Sequence, residues 1–522
     1  MKTSIFVLVT IGVLGILLFA GAARYQGLDS RSALDRVPKF LKEIEQSGFD
    51  WQEGEFSYLD TVKEACTGGM NTAVGNNPWP NTYLTLKLDP PEDLDYPDPP
   101  WRMLYQLRQD AAIVIIGETP PKAAYFSYYT FSMLGPEENP NDDNHYDRTR
   151  VGVPVGDSTN IATINTIGPD RANRPFVYII TGNRETERRV RATALAAGYP
   201  AAIINVETIS PAIAPLGLGA RGSFFGTASR VADPPDEEAK AALEEWVKLT
   251  LTPYNPFRAF RVTPVEELDI NPYPAPILRV RGTGHTEMDL YPAMKELRKA
   301  ILDQEAERNP LLPATELGAR FWQEKITTGQ QMLIDQPYVN LQLDIFDYMG
   351  IRDTNYIQTY PYFKLRSNVD EYVMLYGVNH QKTGKATYAS VSVYVEPGFV
   401  PQREIGLATR LDRTFGSCAR QYLPNHPQVD MLYALKLSRH CAENDPCCMQ
   451  IDPPKQLDIW GEHYECNPKI DLDGADSAEL SWKSDLFVIF RAYVEPATKV
   501  APDDNELVWD RAIYFGPYFT AP

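Results

Sequence analysis

Apolar residues in this chain gather in short runs, and two of those runs belong to a motif that occurs twice. From Tyr105 to Tyr129 it reads YQLRQDAAIVIIGETPPKAAYFSYY, and from Phe363 to Tyr394 FKLRSNVDEYVMLYGVNHQKTGKATYASVSVY. Each copy opens with an aromatic–polar–Leu–Arg quartet that leads to Asp110 or Asp370. Apolar residues then run to Gly117 or Gly377, a polar loop follows, and Ala124-Tyr125-x-Ser127 or Thr387-Tyr388-x-Ser390 closes the copy. The unbroken apolar stretch 111–116 predicts a strand buried on both faces. Residues 125–130 carry aromatics on both faces and predict a second. Two related strand–loop–strand units are expected.

Between the copies the pattern changes period. Residues 151–166 alternate strictly around Gly156-Asp157-Ser158, which predicts a hairpin turning on those three residues. Segments 176–181, 185–197 and 201–206 read as strand, helix and strand. Val190, Ala194 and Ala197 form the helix's inward stripe, Gly198 is its stop, and the connection length suits a parallel crossover. Helical spacing recurs at 32–47, 236–249 and 287–307. Further strands are expected at 257–262, 276–280, 486–494 and 507–515. The fold class that emerges is α+β: two related β-rich strand–loop–strand units with an inserted strand–helix–strand segment, braced by disulfides. The expected division is a signal peptide (1–23), an N-terminal helix with a Pro-rich connector (24–101), a first α/β half (102–312) and a second β-rich half (313–522).

The ends and the charge set the compartment. Lys2, an apolar run over 5–18 and Ala20-Gly21-Ala22 resemble a cleavable signal, since the run is short for a bilayer span. No later stretch is long and apolar enough to cross, so no integral span is expected after cleavage. A net charge of -19 repels phosphate backbones and excludes nucleic acid as a partner. Behind a signal, six cysteines read as disulfides. Cys418, Cys441, Cys447, Cys448 and Cys466 are an odd set, so full pairing joins Cys66 to one of them. A metal site from His440, Cys441, Cys447, Cys448, His463 and Cys466 is the rival reading, though the adjacent Cys447-Cys448 does not match zinc-knuckle spacing.

Few residues offer chemistry. Ser158, in Gly-Asp-Ser, is a candidate nucleophile for an esterase-like serine hydrolase, which needs a histidine base; the bland reading is a polar turn. His380 lies in the second repeat's loop, and Glu118 and Lys122 lie in the first repeat's. If the repeats face one another, these groups line one cleft and do acid–base work. His285 follows Arg281-Gly282-Thr283-Gly284, whose backbone N–H groups and arginine suit an anion at a helix start. Asp471, Asp473 and Asp476, and likewise Asp142, Asp143 and Asp147, offer hard oxygens suited to Ca²⁺ without completing an EF-hand. The expectation is a secreted or cell-envelope protein that binds or processes a small molecule or glycan between two halves. A serine hydrolase and a non-catalytic calcium-binding surface protein are the alternatives.

Overall fold

The computed structural model describes residues 33–60, 63–64, 82–91, 101–137, 148–168, 170–321, 351–366, 370–396, 400–406, 417–443, 445–451, 458–464 and 485–516. The expected signal segment, Cys66, Cys466 and all six calcium-candidate aspartates fall outside these residues.

The strands divide between two sheets. The first takes β1 (Phe49–Leu59), β2 (Thr82–Lys87), β3 (Ala112–Glu118), β4 (Tyr125–Glu137), β5 (Arg148–Pro154), β6 (Thr159–Asn160), β7 (Pro175–Thr181), β8 (Ile204–Thr208), β9 (Phe224–Ala232) and β10 (Phe257–Pro264). The second takes β11 (Ala314–Phe321), β12 (Thr354–Tyr360), β13 (Tyr372–Val378), β14 (Tyr388–Glu396), β15 (Val400–Gly406), β16 (Leu432–Ser438), β17 (Cys448–Gln450), β18 (Asp485–Tyr493) and β19 (Arg511–Phe515). Their spatial orders are β5-β4-β9-β2-β1-β10-β3-β7-β8 and β15-β14-β18-β12-β11-β19-β13-β16-β17. With β6 set aside, these are the same order: each first-sheet strand has a counterpart of the same rank along the chain. Direction agrees as well, because β7–β8 and β16–β17 are parallel and the other neighbouring pairs antiparallel. The repeated motif falls at the same ranks of a strand order that both sheets share.

The likeness extends to local backbone. Asp233 and Val494, each just beyond the strand that pairs with β4 or β14, both adopt positive φ (63° and 42°). Their carbonyls accept from Ala124 N–H and Thr387 N–H, each at 2.9 Å. The two motif glycines also have one cause. A Cβ on Gly117 would lie 2.2 Å from the Phe257 ring, and one on Gly377 2.4 Å from Asp510 Oδ1.

Each sheet curls around an apolar interior and carries helices on its outer face. The first interior contains Phe56, Leu84, Ile113, Ile115, Tyr128, Phe176 and Phe257. The outer face (Val114, Ile116, Val177, Ile179) is covered by α1 (Val37–Gln46) and α2 (Arg184–Ala197). Asn183 caps α2 by accepting from Glu185 N–H, and Gly198 ends it at φ 99°. A third helix, α3 (Glu237–Leu249), lends Leu243, Trp246 and Val247 to the first interior. In the second unit α4 (Tyr291–Arg308) packs Leu297 and Ile301 on Met374 and Tyr376.

Two strand expectations are corrected. The alternation at 151–166 does not form a hairpin: β5 and β6 both pair with β4, not with each other. Alternation assigns faces, and it leaves the partner open. Residues 276–280 form no strand; they run as an extended connection with Ile277 99% and Val280 83% exposed.

Cys418–Cys447 and Cys441–Cys448 are disulfides with Cα separations of 5.6 and 5.7 Å. This corrects the metal-site alternative, since oxidised Cys441, Cys447 and Cys448 present no thiolate to a metal. Cys466 is then the only C-terminal cysteine left for Cys66. The described neighbours of both meet: Lys63 Nζ lies 3.2 Å from Asp458 Oδ2 and 5.7 Å from the Tyr464 ring centre, and Ile459 packs on the first core. Peptide mapping without reductant is expected to recover Cys66 joined to Cys466. A free thiol at either position contradicts this.

Candidate functional site

The sequence candidates are dispersed. Asp157 and Ser158 sit where the first unit meets the second. Ser158 is buried and its hydroxyl donates to Asp353 Oδ1. Tyr125 Oη donates to the other oxygen at 2.6 Å. Asp157 Oδ1 pairs with Arg352 Nε at 2.7 Å. Burial, partly offset by the hydroxyls of Ser158 and Tyr125, raises the Asp353 pKa. Ser158 thus has a carboxylate for a partner, and neither His285 nor His380 is among its contacts. Close by, the repeat-related Tyr125 and Tyr388 stack at 6.3 Å, with Tyr493 4.6 Å from Tyr125. All three are fully buried, so the junction is a packed seam at this point.

His380 is also buried, and both ring nitrogens are occupied. Nδ1 lies 2.9 Å from both Glu287 oxygens and Nε2 3.3 Å from Asp510 Oδ2. Burial opposes its charge, but the Glu287 and Asp510 carboxylates outweigh that and push the pKa up to about 10. A protonated imidazole held on both sides has no lone pair for a base or a metal. Glu287 also accepts from Val508 N–H at 3.0 Å and Thr383 Oγ1 at 2.5 Å.

The Gly-Thr-Gly turn does cradle an anion, and that anion belongs to the chain. Thr283 N–H and Gly284 N–H donate to the Glu506 carboxylate, which Lys385 Nζ also reaches at 2.5 Å. Arg281 is spent on Asn355 Oδ1 (2.8 Å) and the Arg352 carbonyl (3.0 Å). His285 and Lys122 are exposed. Together Arg281, Thr283, Gly284 and Glu287 fasten the connection between the sheets to the second unit.

Glu118 points elsewhere. It ends β3 half-buried, and its charge acts on the Tyr128 phenol. Tyr128 belongs to a polar group inside the first curled sheet that sequence reasoning missed. At its centre is Glu207 on β8, 6% exposed. Its carboxylate accepts from Thr130 N–H at 3.0 Å and Thr130 Oγ1 at 2.5 Å. Thr130 lies on β4, near the opposite end of the strand order, so this contact joins β8 to β4, which no ladder links among the described residues. Thr227 Oγ1 lies 2.9 Å from Thr130 Oγ1 and 2.7 Å from Tyr105 Oη. Tyr178 Oη is close enough to Glu207 to affect its ionisation, without alignment for a hydrogen bond, and Tyr128 Oη stands likewise to Ser229. No Lys, Arg or His among the described residues pairs with Glu207. Burial therefore dominates, only partly offset by Thr130 and Tyr178, and the pKa rises to about 7.

The second unit shows what these positions require structurally. Strand register matches Tyr105 with Phe363, Tyr128 with Val391, Thr130 with Val393 and Tyr178 with Leu435. It likewise matches Glu207 with Met449, Thr227 with Val488 and Ser229 with Phe490. Every counterpart is apolar and buried in the second interior. The reverse exchange occurs at the His380 network, where Asp510 and Tyr433 replace the Phe257–Phe176 ring contact of the first unit. One signal for Glu207 was available: a charge in the otherwise strand-like run 204–208.

No family model matches the chain, and no curated protein matches it. Among solved structures, an uncharacterised protein from Burkholderia cenocepacia aligns over 92% of this chain and 88% of its own, at 10% identity and TM-score 0.34. The partial N-terminal region of an enterococcal surface protein aligns over 88% of this chain and 86% of its own, at 8% identity and TM-score 0.13. Likenesses this slight carry no argument about fold or activity.

Proposed function

We propose that this is a secreted or cell-envelope protein that takes up a small molecule inside its first curled sheet, with the second unit as an apolar-filled scaffold. The two disulfides suit an oxidising compartment. Among the described residues no helix is long and apolar enough to cross a membrane.

One observation carries the reading. The same fold, built twice in one chain, fills equivalent interior positions with apolar side chains in one copy and with Glu207, Thr130, Thr227 and three tyrosines in the other. Burying an acid without a counter-charge costs stability, so the fold alone does not call for it. Buried hydroxyls without an aligned hydrogen bond at Tyr128, Tyr178 and Ser229 suit a ligand or an internal water. Convergent polar groups with a perturbed acid in an aromatic setting are the usual signature of a binding site.

Thermal melts against neutral sugars, small alcohols, amines and carboxylic acids test this. At least one class is expected to raise the Tm of the wild type and not that of Thr130→Val/Tyr178→Leu/Glu207→Met, which installs the second unit's residues. Equal shifts in both proteins, or none in the wild type, overturn the proposal.

A further inference from the structure

Resting on that reading, the geometry points to a small organic ammonium ion as the ligand of the first unit, with Glu207 as its counter-ion and the surrounding tyrosines as its aromatic wall. No cation among the described residues balances Glu207: its carboxylate accepts from the hydroxyl and the amide of Thr130, and the Tyr178 phenol stands beside it. Tyr128 packs 5.9 Å from Tyr178 and 4.8 Å from Phe176 between ring centres, and Tyr105 is joined to Glu207 through Thr227 and Thr130. A carboxylate beside aromatic faces is the combination that recognises an ammonium group, by ion pairing on one side and by the ring quadrupoles on the others. The phenol oxygens of Tyr128 and Tyr178 and the hydroxyl of Ser229, buried and without aligned partners, can accept N–H donors.

Other ligand classes fit less well. An anion meets an uncompensated acid. A neutral alcohol leaves that acid as desolvated as before, whereas an ammonium ion neutralises it. The chain's charge of -19 also draws cations towards the protein and repels anions. Binding sets a proton balance: the carboxyl must be ionised to pair with the ammonium, so association releases protons from the fraction of Glu207 that is protonated. Affinity for the amine then falls as pH drops below the acid's raised midpoint.

Calorimetry with phenethylammonium chloride and its neutral isostere 2-phenylethanol, on the full mature chain at pH 6 and pH 8, decides the matter. The amine is expected to bind at least tenfold more tightly than the alcohol at pH 8 and several-fold more weakly at pH 6 than at pH 8. It should also lose at least tenfold in Glu207→Gln, which keeps an acceptor for Thr130. Two results overturn the assignment in distinguishable ways. If the alcohol or a neutral sugar binds as tightly as the amine and is sensitive to Tyr178→Leu, the site stands and its ligand class is wrong. If neither compound binds, and the broad panel gives no shift that the three-residue replacement abolishes, the site itself falls.

Discussion

Removing the His380 imidazole is expected to destabilise the protein by about 3–5 kcal/mol, the range for a buried ion pair that loses one partner. His380→Ala leaves Glu287 and Asp510, 2% and 4% exposed, facing each other with no cation between them. Tyr433 Oη at 2.6 Å still serves Asp510, and Val508 N–H and Thr383 still serve Glu287, but none of these carries charge. The pH dependence identifies the cause. Because the folded pKa of His380 is raised to about 10, its stabilisation is fully present below the unfolded value near 6.5 and is lost as pH rises towards 10. Burial works to raise the Glu287 pKa, but the His380 charge and three hydrogen bonds together depress it. Its contribution is therefore present above about 4.5 and is lost at lower pH. The network is strongest between those limits. Urea titrations should show the largest penalty near pH 6 and a clearly smaller one at pH 9. Adding Glu287→Gln to His380→Ala should recover part of the loss, because one of the two opposed charges is gone. A uniform penalty at both pH values, with no recovery in the double variant, would show a simple packing defect.

This network and the Glu207 group show where reading the sequence succeeds and where it stops. The repeat was legible because β3, β4, β13 and β14 each have a strand on both sides and are buried over most of their length, so that burial constrains many side chains in a row. Motif glycines Gly117 and Gly377 survive in both copies because a neighbouring side chain crosses over each of them. Elsewhere the two copies share backbone without sharing side-chain chemistry: Glu207 answers to Met449, and Phe257 to Asp510. No pattern of apolar positions relates such pairs; only strand register does. Gly156-Asp157-Ser158 illustrates a second limit. Its composition fits a turn and also a nucleophile. The contacts with Arg352 and Asp353, nearly two hundred residues away in the chain (separation 195), show that the turn docks the two units. His380 was singled out from its loop, but its partners Glu287 and Asp510 come from distant segments and determine what it does.

The second large effect has the opposite sign. Glu207→Gln is expected to make the ligand-free protein more stable at pH 8 by about 3 kcal/mol and to leave it unchanged near pH 4. The folded pKa of Glu207, about 7, lies above the unfolded value near 4.5. The folded state therefore binds its proton more tightly, and stability is lost as pH rises between those two values. A gap of that size at ~1.4 kcal/mol per unit gives the magnitude. Glutamine preserves the geometry, since its carbonyl oxygen still accepts from Thr130 N–H, and removes the ionisation. Chemical denaturation of both proteins from pH 4 to pH 8 should give curves that coincide at the acid end and diverge through this interval. Saturating phenethylammonium should narrow the gap at pH 8 by stabilising the wild type more than the variant. Parallel curves across the whole range would mean that Glu207 is ionised or solvated in the folded state at neutral pH. The buried acid at the centre of the proposed site would then be an ordinary carboxylate.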